Sequence, residues 1–115
     1  MKLPVAEQAI VDPAKVRDYL LSFEHPVGRS KARFFAALGF SRERWPELQR
    51  ALERLAVEGE AAPGAASPFG QKYVVRGMIR GPEPRARAAA VESAWIVLHG
   101  EAAPRLVTAY PGDAP

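Results

Sequence analysis

Hydrophobic positions along the chain change period once, near Gly59, and that change predicts two structural halves. In the first half, apolar residues recur at helical spacing. Val16, Tyr19, Leu20 and Phe23 form one stripe behind an Asp12-Pro13 start, with Asp as N-cap and Pro at the first helical position. This helix is expected to be short and to end near Ser22. Ala32, Phe35 and Ala36, flanked by Phe34 and Leu38, form a second stripe over about 28–38, and Gly39 suits its C-cap. Leu48, Ala51, Leu52 and Leu55 form a third. Pro46 opens that helix because proline breaks a helix interior, and Gly59 closes it. Glu47, Arg50, Arg54 and Glu58 decorate its solvated face.

In the second half the period becomes two, as a half-buried strand requires. Over about 71–80, Tyr73, Val75, Gly77 and Ile79 share one face; Lys72, Val74, Arg76, Met78 and Arg80 share the other. Over about 88–98, Val91, Ser93, Trp95 and Val97 alternate with Glu92, Ala94, Ile96 and Leu98, with Trp95 a core residue. Over about 105–110, Leu106, Thr108 and Tyr110 alternate with Val107 and Ala109, until Pro111-Gly112 stops the strand. Segment 59–68, GEAAPGAASP, has no apolar periodicity and reads as a loop, and 1–11 reads as an extended arm. The expected fold class is α+β. Three N-terminal helices (12–58) pack on a C-terminal antiparallel meander of three to four strands (69–111), in one domain spanning 1–115.

Composition narrows the chemistry. With 115 residues, 48% of them hydrophobic, the chain can bury one core. The absence of cysteine excludes disulfides, cysteine-ligated zinc and thiol catalysis. There is no paired-histidine metal spacing, phosphate loop or nucleophile elbow, so no metal and no cofactor is expected. No apolar run reaches membrane-spanning length and no signal-peptide pattern opens the chain. The expected location is the bacterial cytoplasm, or delivery by a partner system, with no membrane partner. A net charge of +3 permits an anionic partner without demanding one.

The polar groups suited to chemistry concentrate in His25-Pro26-Val27-Gly28-Arg29-Ser30-Lys31. An imidazole, a guanidinium and an ammonium in one short segment suit a phosphodiester. The His can move a proton near neutral pH, while Arg29 and Lys31 stabilise phosphate charge. Cations in the first turns of a helix oppose its dipole, which either a solvated face or an anion site tolerates. Lys72 and Arg76 share a face with hydrophobic neighbours on a mostly apolar strand, where they either snorkel or line a groove. Thr108 and Tyr110 point the same way and can hydrogen-bond a phosphate, and Tyr110 can stack on a base; both are also ordinary strand formers. Glu92 is placed to pair with Arg76 or Arg80, and His99 reads as a turn residue.

Three segments, HPVGRSKARFFAALGF, FGQKYVVRGMIRGP and SAWIVLHGEAAPRLVTAYP, resemble an uncharacterised bacterial family. In that family a His-x-x-Gly-Arg-x-Lys-x-x-Phe-Phe helix precedes a sheet ending in Leu-Val-Thr-Ala-Tyr-Pro. Its architecture resembles the superfamily of barnase, EndoU, colicin D and RelE, metal-independent ribonucleases and toxins. The resemblance implies a toxin-like RNA endonuclease that attacks through the 2′-hydroxyl and leaves a 2′,3′-cyclic phosphate. It implies His25 as base or acid, Arg29, Lys31 and Lys72 as phosphate ligands, and Thr108 and Tyr110 as the closing-strand pair. With the strand-face reading of Arg76, the expected catalytic residues are His25, Lys31, Thr108 and Tyr110 and the expected substrate ligands Arg29, Lys72 and Arg76. RNA and a small acidic antitoxin or immunity protein would be the partners. The alternative is a non-catalytic protein- or RNA-binding module of a toxin–antitoxin or related system. Catalysis requires His25, Lys31, Lys72 and Thr108 or Tyr110 to converge on one concave face.

Overall fold

The computed structural model describes residues 1–112. Asp12 caps the first helix, its Oδ1 accepting the Ala14 N–H at 2.9 Å. Only Pro13–Lys15 (α1) is α-helical. The chain then widens into a π-turn over Val16–Leu20, in which the Leu21 N–H donates to the Val16 carbonyl at 3.0 Å. The wider turn breaks the 3.6-residue phase, so the expected stripe does not reach Phe23, which is 58% exposed. α2 spans Arg29–Leu38 and ends on Gly39, whose φ of 114° only glycine adopts readily. α3 spans Trp45–Glu58 with Pro46 in its first turn.

Four antiparallel strands follow in the order β1 (Glu60–Ser67), β2 (Gly70–Arg80), β3 (Ala88–Leu98) and β4 (Arg105–Pro111). The fold is therefore α+β, three helices followed by a four-stranded meander. The expected loop at 59–68 is largely β1, a correction with a clear cause. β1 is an edge strand of small residues in which Ala61 alone is buried, and it is bulged between Pro63 and Ala66. Proline and a bulge are both compatible with an edge, and neither leaves an apolar alternation to read. The arm is also more than extended chain. It contains a 3₁₀ turn at Ala6–Gln8, and Ile10 bridges Arg105 in parallel, donating to the Pro104 carbonyl at 2.8 Å.

The helices cover one face of the sheet. Val75, Ser93 and Ala109 form one row of that face, with Ile79, Val91, Trp95 and Leu106 beside them, all buried. Val16, Leu20, Phe35, Leu48, Leu52 and Leu55 complete the core from the helical layer. The other face carries two rows that matter below: Val74–Ala94–Thr108 and Arg76–Glu92–Tyr110.

The core holds one polar device. The Trp95 indole N–H donates to the Ser93 hydroxyl at 2.8 Å, and that hydroxyl donates to the Val75 carbonyl at 3.2 Å. Both side chains are fully buried. Ser93→Ala leaves the indole N–H without an acceptor, at a cost of about 1–3 kcal/mol. A thermal melt should show a midpoint lower by roughly 4–8 °C per kcal/mol. An unchanged midpoint would contradict the assigned bond.

Candidate functional site at the edge of the sheet

The site is built where the π-turn, α2 and β4 meet. Tyr19, inside the π-turn, is its centre. Its phenol shares a hydrogen bond of 3.1 Å with the Thr108 hydroxyl. Thr108 belongs by register to the uncovered face, whereas Tyr19 belongs to the helical layer, so Tyr19 reaches around the β4 edge to meet it. The Lys31 ammonium lies 5.6 Å from the centre of the Tyr19 ring and the Lys15 ammonium 5.5 Å from it. His25 packs edge-on against the same ring, centroids 4.9 Å apart.

The His25 loop is fixed from both ends. The Ser22 hydroxyl accepts the Glu24 and His25 N–H groups at 3.3 and 3.2 Å. His25 Nδ1 accepts the Val27 and Gly28 N–H groups at 3.1 and 3.0 Å. An Nδ1 lone pair engaged by two backbone donors places the neutral ring's proton on Nε2. The exposed edge of His25 is therefore a donor. Gly28 explains the glycine of the motif: a Cβ there would stand 2.1 Å from the Tyr19 carbonyl oxygen and 3.0 Å from Tyr19 Cδ1. Only a residue without a side chain lets the start of α2 lie against the π-turn.

The two tyrosines of the site are driven in opposite directions. For Tyr19, burial works to raise the phenol pKa. The Thr108 hydroxyl and the Lys31 and Lys15 charges outweigh burial and hold it below the ordinary value. For Tyr110, burial and then the Glu92 carboxylate push it up, with Arg76 a lesser opposing charge. Glu92 is the hub of this second group, its carboxylate 2.6 Å from the Arg76 guanidinium. Beside Tyr19, Asp18 is held down to about 2 by hydrogen bonds from Arg17 and Arg42, a link that ties the α2–α3 turn to the π-turn.

The structure thus gathers His25, Lys31 and Thr108 around Tyr19. It sets Tyr110, Glu92 and Arg76 in the next row of the same sheet face. Arg29 opens α2 and is exposed. Lys72 is exposed on the same sheet face but two strands from β4, in the Ile96 row, outside the cluster. The expected convergence of Lys72 with His25, Lys31 and Thr108 is therefore not met, and the gathered set is His25, Lys31 and Thr108 alone. Arg76 is engaged by Glu92, as the hairpin spacing anticipated. Tyr19 and Lys15 were not legible as site residues, because regular periodicity assigns Tyr19 to an apolar stripe. The one signal was its i, i+4 relation to Lys15. Among the described residues no group of three or more His, Asp or Glu side chains is placed to hold a metal. No described helix is long and apolar enough to cross a membrane.

Helices covering one face of an antiparallel meander, with a polar cluster at the closing strand, define the class. Residues 2–113 match a family described as a domain of unknown function (DUF6883), and the chain belongs to that family. No curated protein matches the sequence. Among solved structures, the fold is similar to a chain of the contact-dependent growth inhibition toxin–immunity protein complex from Klebsiella pneumoniae 342. The TM-score is 0.70 at 16% identity, covering 90% of this chain and 100% of that one.

The packing of Gly28 on Tyr19 yields a prediction. Gly28→Ala should displace the π-turn, and the Tyr19 ring resonances should lose their nuclear Overhauser contacts to His25 while those of Trp95 in the core persist. Retention of the Tyr19–His25 contacts would show that the close approach is not required.

Proposed function

We propose that the chain is a toxin-like, metal-independent RNA endonuclease. The observation that carries this reading is the convergence of His25, Lys31 and Thr108 on one phenol at the edge of the sheet. Ammonium groups and hydroxyls suit a reaction whose nucleophile comes from the substrate and whose phosphoryl charge is met by protein cations and donors. The RNA 2′-hydroxyl attacks the adjacent phosphorus, the P–O5′ bond breaks, and a 2′,3′-cyclic phosphate remains. Lys31, with Lys15 beside it, offsets the charge that develops on the phosphoryl oxygens. The His25 Nε2–H donates a hydrogen bond to one of them, and Arg29, at the start of α2, meets a flanking phosphate. Tyr110 supplies a second phenol from the neighbouring row. Lys72, across the sheet, would contact the RNA strand beyond the scissile phosphate. The likeness of fold to a chain of a toxin–immunity complex supports a role in the same kind of system, with a small acidic immunity protein or antitoxin as inhibitor.

The alternative is a module that binds RNA or protein without turnover. It is favoured by the position of Lys72 away from the cluster and by the engagement of Arg76 with Glu92. One experiment separates the two. The purified protein is incubated with total RNA and transfer RNA in EDTA, beside its His25→Ala variant and a DNA control. The proposal predicts cleavage of RNA by the parent, fragments ending in 2′,3′-cyclic phosphate, intact DNA, and a loss of about 100-fold or more in the variant. Salt-sensitive binding without cleavage by the folded parent would establish the module reading.

A further inference from the structure

We propose that Tyr19 is the general base of this site, taking the proton from the attacking 2′-hydroxyl, while His25 acts as a fixed hydrogen-bond donor. The inference rests on the ribonuclease reading and adds a residue to it that the sequence motif omits. A base needs a free lone pair on the edge that faces substrate. The Val27 and Gly28 N–H groups occupy His25 Nδ1 at 3.1 and 3.0 Å, so the ring's proton sits on Nε2 and that edge has no lone pair to offer. To accept a proton at Nε2, His25 would first have to move its proton to Nδ1. There it would face two backbone donors that hold the loop together.

Tyr19 meets the requirements that His25 does not. Its oxygen lies on the half-buried edge of the site, bonded to a hydroxyl that can turn to donate to it. Two ammonium groups flank its ring at 5.5 and 5.6 Å and favour its anion. The direction of its titration agrees: after the opposing effect of burial, Thr108, Lys31 and Lys15 hold Tyr19 low. Tyr110 lies two residues from Thr108 on the same strand face, about 7 Å away along the strand. Burial and Glu92 keep Tyr110 protonated. Two like groups pushed apart in this way mark a base and an acid.

The step balances. Tyr19, having released its proton to solvent, accepts the proton of the 2′-hydroxyl on Oη as the O2′–P bond forms. The P–O5′ bond breaks with its electron pair on O5′, which takes the phenol proton of Tyr110. Solvent reprotonates Tyr110 and relieves Tyr19 of its proton. The net change is one phosphodiester converted to a 2′,3′-cyclic phosphate and a 5′-hydroxyl.

The test measures pH–rate profiles of the parent, Tyr19→Phe and Thr108→Val proteins on a short RNA, and on the same RNA with sulfur at the 5′-bridging position of the scissile bond. A sulfur leaving group needs no proton, so it rescues loss of an acid but not of a base. For the parent, kcat should rise with pH through a group titrating below the ordinary phenol range of about 10. Tyr19→Phe should lose about 100-fold or more in kcat with KM within about threefold, lose that ascending limb, and stay impaired on the sulfur substrate. Thr108→Val, a change of similar volume that removes the hydroxyl, should move the limb to higher pH, with the Tyr19–His25 nuclear Overhauser contacts checked to show that the ring keeps its place. Near-parental activity of Tyr19→Phe, its rescue by the sulfur substrate, or an unmoved limb in Thr108→Val would each overturn the assignment while leaving the ribonuclease reading intact. A parent that cleaves neither RNA would end that reading, and this inference with it.

Discussion

The bond between the Tyr19 and Thr108 hydroxyls, 3.1 Å long, is the contact on which the account depends. It joins the helical layer to the uncovered face of the sheet around the edge of β4. Three features make it possible. The π-turn over Val16–Leu20 carries Tyr19 half-buried against the core, with its hydroxyl at Thr108. Gly28 lets α2 close down on that turn, and brings Lys31 over the Tyr19 ring from the first turns of the helix. The bulge between Ala94 and Trp95, which leaves Val107 as an extra residue in β4, sets the register that puts Thr108 opposite Ala94. The π-turn and the bulge are local departures from regular geometry, Gly28 is a close approach with ordinary helical backbone, and all three fall on the same site.

The electrostatics of the site follow from that assembly. Lys31 and Arg29 sit in the first turns of α2, where the helix dipole disfavours cations. Within the chain, Lys31 is offset by the face of an aromatic ring, a contact worth about 0.5–1 kcal/mol at a half-exposed position. A cation held against its dipole beside a polarised phenol gains most when an anion arrives, so the free protein carries charge that a phosphodiester would complete. In the neighbouring row, Glu92 reverses the sign of the environment, and Tyr110 responds in the opposite direction to Tyr19.

Much of this was legible in the sequence, and the exceptions have physical causes. The Asp12-Pro13 cap, the α2 and α3 stripes and the strand alternation of β2 and β3 all follow from local rules that the tertiary structure does not override. In β4 the bulge at Val107 puts Leu106 on the covered face and Thr108 and Tyr110 on the other, so the single face expected for all three is corrected. Trp95 in the core was read from its place mid-strand between apolar residues, and Glu92 was expected to pair with Arg76 or Arg80, of which the register selects Arg76. β1 was hidden because its pairing is carried by backbone, with alanine, glycine and proline in place of an apolar alternation. Of the candidate site, His25, Lys31 and Thr108 stood out by chemical type. Tyr19 was hidden because its ring packs against the core as the stripe implies, and nothing in the local sequence shows that its hydroxyl reaches Thr108, 89 residues away. Lys72 was grouped with the others by charge, yet sheet register sets it two strands away. Charge identifies candidates, but only topology decides which of them meet.

The measurement that tests the central claim most directly is a titration of the isotopically labelled protein with a short RNA whose scissile nucleotide is 2′-deoxy, followed by nuclear magnetic resonance. Such a strand keeps the phosphodiester and lacks the nucleophile. If the cluster around Tyr19 is a phosphodiester site, the largest shifts will fall on Tyr19, His25, Lys31, Thr108 and Tyr110, and will weaken as salt is raised. Shifts confined to the β1–β2 side of the sheet, with Tyr19 and Thr108 unmoved, would contradict the account.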